Sequence, residues 1–223
     1  MKECEEREAK AVLTQKEAQK LKKKTYKTLK EKEMFLEELK SRMEPGEAEK
    51  IWKNAHKRLY RAYAEHGDLP KGVRMHTDSF IFPAATIYLA IKDKDADLAF
   101  EVMKKKMAEK SQSMGSMLSK KCERVWFRKF FLALWGPISR HMFGESSGFC
   151  NVFYPKEKGG FRMDITACPY HKYLTELGCP EINILFCEND VYSYGNLPGL
   201  KFTRTKTIGA GDEICDFRME LTK

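Results

Sequence analysis

The chain has 223 residues, 42% of them hydrophobic, and a formal net charge of +9 from 41 Lys+Arg against 32 Asp+Glu. That length can enclose a sizeable core without staples. The seven cysteines are odd in number, scattered, and accompanied by no leader pattern near Met1, so reduced thiols in a cytoplasm are expected rather than a disulfide framework. No apolar run approaches the roughly 20 residues that a bilayer span needs, which excludes a membrane-spanning segment.

Charge is shared unevenly: residues 1–120 hold 27 Lys+Arg against 20 Asp+Glu, and residues 121–223 hold 14 against 12. The lysine cluster around Lys22, Lys23, Lys24, Lys27 and Lys30 invites a nucleic-acid reading, but glutamates stand at helical distance and no nucleic-acid motif accompanies it. A solvated helix face is expected instead. Residues 3–43 lack proline and glycine and repeat apolar residues at helical spacing, predicting one long helix or two in line, frayed over the first dozen residues. Pro45 opens a second helix over residues 45–64 with Ile51, Trp52, Ala55, Leu59 and Tyr63 on its apolar side.

After a loop at residues 67–72, residues 80–91 read as a buried segment with Pro83 in its first turn, and residues 95–109 as a helix with Leu98, Val102, Met103 and Met107 inward. The Ser, Met and Gly stretch at 111–119 reads as a loop or mobile lid. Residues 121–131 are helical and unusually apolar, ending at Gly136-Pro137. They either pack internally, the preferred reading, or lie on a membrane surface with Lys120, Lys121, Arg124, Arg128 and Lys129 on headgroups. Beyond them the period changes to two. Residues 148–154 and 160–166 form a hairpin, short helices begin at Cys168-Pro169 and Pro180-Glu181, and strands fall at 200–207 and 215–221. The expected class is α+β: a helical N-terminal half (1–119) sharing its core with an α+β domain (120–223), whose antiparallel sheet carries two short helices on one face.

The chemistry concentrates in residues 168–218. Cys187 and Asp190 stand three apart on a helix and share a side. Cys215 and Asp216 are adjacent in a strand, so only one can face a given pocket. Cys168 precedes a helix, where free N–H groups favour a thiolate. His171 is either a base near Cys168 or a surface residue, and Glu181 is explained equally well as an acid/base or as a first-turn charge. Arg204 either presents a fork to a carboxylate substrate or pairs with Asp216. Cys4, Cys122, Cys150 and Cys179 read as small buried apolar residues. Zinc is disfavoured because Cys168, His171, Cys187 and Cys215 lack paired knuckles, and no metal or other cofactor is expected.

The order C-x2-H-x9-E-x5-C-x2-D, then P-G-L-x-F-T-R-T-x-T, then G-D-x-x-C-D-F-R resembles the L-2-amino-thiazoline-4-carboxylic acid hydrolase family. The resemblance covers Cys168 to Arg218 and reaches the helical half only in general character. It implies hydrolytic opening of a small cyclic amidine-like ring, with Cys187 or Cys168 as nucleophile and Asp190 or Glu181 as acid/base. Cys215, Asp216 and, more weakly, His171 complete the catalytic candidates, while Arg204 and Arg218 would bind the substrate. A small-molecule substrate is the expected partner, with nucleic acid excluded and self-association left open. The alternative is a non-catalytic ligand module in which the same cysteines hold a metal or respond to redox.

Overall fold

The structure, a computed structural model, describes residues 13–155 and 157–222. Residues 3–12 of the predicted first helix, and Cys4, lie outside the described residues. The helix appears as two: α1 (Gln15–Lys30) and α2 (Glu33–Lys40). Thr14 opens α1 with a capping box, its hydroxyl accepting the Glu17 N–H while the Glu17 carboxylate accepts the Thr14 N–H at 2.9 Å. In α3 (Pro45–Glu65) the five apolar-side residues expected from spacing are all buried.

The next helix is continuous in direction but changes its winding. α4 (Lys71–His76) runs into a π turn over Thr77–Ile81 and then into α5 (Phe82–Lys92). Pro83 therefore sits within a long helical run instead of starting it. The Phe82 N–H reaches back to the Thr77 carbonyl, and this widened turn accommodates a residue that can neither donate nor tolerate a close i−4 carbonyl.

Two breaks expected from composition are absent. Residues 111–119 form no loop: α6 runs unbroken over Ala96–Cys122. Ser111 and Gly115 are buried there, and a Cβ at Gly115 would stand 2.4 Å from the Tyr192 carbonyl oxygen. The small residues are a close-packing stripe, which composition alone does not separate from a turn signal. Likewise α7 (Val125–Met142) passes through Gly136-Pro137, with Gly136 set against the Phe161 ring. An interior proline costs about 3 kcal/mol, which the packing of Phe127, Phe131, Leu132 and Trp135 offsets. The opposite side of α7 is not covered: Trp126, Phe130, Leu134 and Ile138 are exposed, so internal packing accounts for only one face of this apolar helix. No helix among the described residues is long and apolar enough to cross a membrane.

The C-terminal part follows the predicted order. β1 (Cys150–Phe153) and β2 (Gly160–Ala167) form the hairpin, α8 (Pro169–Glu176) ends near Gly178 at φ +78°, and α9 (Asn183–Tyr194) follows a 3-10 turn. β3 (Leu200–Thr203) and β4 (Cys215–Leu221) complete an antiparallel sheet of order β1-β2-β4-β3. Alternation sends Cys215, Phe217 and Met219 inward beside Ile165, Met163 and Phe161, while Asp216, Arg218 and Glu220 face outward. The protein is thus α+β, with helices on one face of its sheet. α6 crosses residue 119 without interruption and packs along α9, so the helical half supplies a wall of whatever lies between α9 and the sheet.

Candidate active site

A cavity of about 640 Å³ lies there, lined by α5, α6, α7, α9 and the inner face of the sheet. The sheet, the turn before α8 and α9 bring its thiols, its acid and its guanidinium. β4 contributes Cys215, whose sulfur accepts the Ile208 N–H at 3.2 Å. The turn before α8 contributes Cys168, and α9 contributes Cys187 and Asp190 from one side of the helix. Arg204, just past β3, donates from Nη1 to Asp190 Oδ2 at 2.9 Å, with its guanidinium 5.6 Å from the Phe217 ring centre.

Gly209 explains how the loop closes over Cys187. A Cβ there would lie 2.6 Å from the Cys187 sulfur and 3.3 Å from Asn183 Nδ2, so the 3-10 turn Ile208–Ala210 can press its backbone against the thiol only with glycine.

The electrostatics separate the thiols from the acid. Burial pushes Cys168 up to about 12, against the weaker opposing pull of the His171 and Tyr170 N–H groups. The thiolate expected from its helix-start position therefore loses to desolvation. Burial also raises Cys187, only partly offset by the Thr207 hydroxyl. Asp190 is raised to about 6, because burial outweighs the attraction of Arg204. Its side chain is one-third exposed, and that exposure opens into the cavity. A carboxyl that titrates near 6 in an apolar enclosure is suited to moving protons at neutral pH.

Four of the predicted residues lie elsewhere. Glu181 accepts from Tyr88 Oη at 2.6 Å and Lys92 Nζ at 2.5 Å, tying its 3-10 turn to α5. His171 is exposed on α8, its Nδ1 3.3 Å from Asn183 Nδ2. Asp216 accepts the Thr205 hydroxyl at 2.6 Å and the Thr205 and Lys206 N–H groups at 2.8 and 2.6 Å; against the effect of burial these bonds, the hydroxyl's foremost, hold it below the usual carboxylate range. Arg218 is exposed on the outer sheet face beside Glu220 and Glu157. Of the cysteines read as buried, Cys122 and Cys179 are, whereas Cys150 is exposed on the edge strand β1. Among the described residues no group of three His, Cys, Asp or Glu side chains is placed to hold a metal ion.

Sequence reasoning missed two features. Inside the cavity wall, His76 Nε2 meets the Met142 carbonyl at 2.8 Å and His76 Nδ1 meets Tyr170 Oη at 3.0 Å. A carbonyl only accepts, so Nε2 carries the proton. Burial lowers the histidine pKa, and the neutral ring accepts a hydrogen bond from the Tyr170 hydroxyl at Nδ1. Tyr170 stands in the Cys168-Pro169-Tyr170-His171 run and was within reach of the motif; His76, some ninety residues upstream, carried no local signal. The second feature is on α9, where Asn183 Oδ1, Asn189 Oδ1 and Ser193 Oγ are buried, line the cavity and have no protein partner. Such groups need a partner from what the cavity holds. Their polar spacing along one helix, in register with Cys187 and Asp190, was the available clue.

The enclosed acid, guanidinium and thiols fall within residues 74–219, which match the model of a family described as L-2-amino-thiazoline-4-carboxylic acid hydrolase. No curated protein and no solved structure matches the chain. With the match spanning His76, all of α5 to α9 and nearly all of the sheet, the chain belongs to the L-2-amino-thiazoline-4-carboxylic acid hydrolase family.

Proposed function

We propose that this protein is a hydrolase that opens a cyclic amidine-like ring, and that Asp190 is its general base. The observation that carries the reading is the Asp190–Arg204 pair set at the enclosed end of the cavity beside Cys187, with the carboxyl raised to about 6. For a thiazoline carboxylate, water adds to the carbon between sulfur and nitrogen. The carbon–sulfur bond then breaks, the ring sulfur leaves with a proton, and an N-carbamoyl amino thiol results.

Two candidates exist for the attacking atom, a cavity thiol and a water, and burial disfavours resting thiolates at Cys168 and Cys187. Burial raises the Cys187 thiol, so it is not held as a ready nucleophile, whereas the Asp190 carboxylate can take a proton from water as the water attacks. Water polarised by the Asp190 carboxylate avoids making a buried thiolate. Cys187 and Cys215 then serve as weak donors facing the leaving sulfur. Arg204 holds Asp190 in place and offers its remaining N–H groups to a substrate carboxylate.

The test is a panel of cyclic amidines, L-2-amino-thiazoline-4-carboxylate first, followed by mass spectrometry in ¹⁸O water. Gain of one labelled water with appearance of a free thiol is expected. No water gain with any ring of the panel overturns the hydrolase reading.

A further inference from the structure

The cavity is larger and more apolar than the reacting ring requires. A thiazoline carboxylate has about nine non-hydrogen atoms, whereas a cavity of about 640 Å³ falls in the range that encloses drug-sized ligands. From the Asp190 end the walls run outward along α6 by Met107, Met114 and Met117, and along the α4–α5 run by Phe80, Ala84 and Ile87. Phe80, Met114 and Met117 are each 41–50% exposed, which places the mouth at their end.

Two lysines stand at that mouth. Lys32 and Lys110 both line the cavity, and Lys32 Nζ lies 5.7 Å from the Phe80 ring centre. Neither forms an ion pair with a carboxylate among the described residues. Burial and the neighbouring Lys110 hold Lys32 below its ordinary pKa, so two like charges are kept close at one opening. Such a pair is relieved by an anion.

We propose that the cavity takes an elongated amphiphile: a reactive polar head at Cys187, Asp190 and Arg204, an apolar alkyl or aryl body along the methionine walls, and an anionic group between Lys32 and Lys110. The assignment of the head rests on the hydrolase reading; the body and the anion do not. Methionine suits this wall because its flexible, polarisable side chain moulds to chains of different shape.

Titration calorimetry with a homologous series of n-alkyl phosphates tests the proposal without turnover. Binding should tighten about threefold to fourfold per added methylene until the chain fills the cavity, then level off. A series flat in chain length overturns it. The double variant Lys32→Ala/Lys110→Ala should weaken the phosphates while leaving n-alkanols of equal length unchanged; equal loss for both overturns the anion site. Met114→Glu, at an exposed position that does not endanger folding, should block the longer chains at an unchanged melting temperature, and its binding them as before would count against the apolar wall. A flat series together with intact ring opening would overturn the amphiphile and leave the reaction standing. A steep series without ring opening would do the reverse.

Discussion

Glu38, on α2 in the helical half, is only 7% exposed, covered by Arg42 at 2.7 Å and Lys105 at 2.8 Å. Burial works against its charge, but the hydrogen bonds from Lys105 and Arg42 prevail and hold its carboxyl below the usual range. Asp190, on α9, is more accessible by area yet opens only into the cavity, and its single cation, Arg204, does not compensate for desolvation. One acid lies beneath its partners at the edge of the molecule; the other faces an apolar space with one partner and one oxygen to spare. What separates the two carboxyls electrostatically is the number of cations against the depth of enclosure, and exposed area alone would rank them in the wrong order.

The largest expected effect follows from removing the proposed general base. Asp190→Asn should lower turnover about 10²- to 10⁴-fold, the range for a lost general base, with the melting temperature little changed. Ring-opening rates read by thiol release check this, and undiminished turnover would remove Asp190 from the mechanism. The pH profile sharpens the same point. Because the ionised form is the base, activity should fall about tenfold per pH unit below roughly 6 and be flat above it; an inflection near 4 would place Asp190 among ordinary carboxylates.

Glu38→Gln should do the opposite to the pair: stability falls by about 1–2 kcal/mol while activity per folded molecule is kept, as urea melts and an active-site titration would reveal. Cys187→Ser comes next, with turnover reduced by less than about tenfold if water is the nucleophile. A loss as deep as that of Asp190→Asn would restore the thiol to that role. Glu181→Gln should change least. Its bonds to Tyr88 and Lys92 tie a half-exposed turn, so about 1 kcal/mol or less is expected in chemical denaturation, with no change in rate.

Much of the C-terminal architecture was readable because its punctuation is local. Gly159 in the hairpin turn, the glycine ending α8 and the glycine turn before β4 each announce a backbone requirement within a few residues. The strand period likewise put Cys215 and Asp216 on opposite faces, and it is Cys215 that the structure turns inward. What local pattern could not give was the distant wall. Ser111 and Gly115 look like a loop until a second helix lies against them, Gly136-Pro137 looks like a stop until the sheet supports it, and His76 gains its meaning from Tyr170 across the fold. Motif spacing also gathered Glu181, Asp216, Arg218 and His171 into one apparent site, because proximity in sequence does not say which side of an element a residue takes.

The contact at Gly115 has a mechanical consequence. With the backbone of α9 seated on α6 where a single added carbon would not fit, the helix that carries Cys187 and Asp190 cannot press closer to its neighbour. Met114 and Met117, which flank that contact on α6, line the cavity with side chains that can change shape while the two backbones stay in place. The α6–α9 pair therefore resembles a single jaw with a stiff spine and a padded face, the spine fixing the spacing of the helices and the padding lining the hollow.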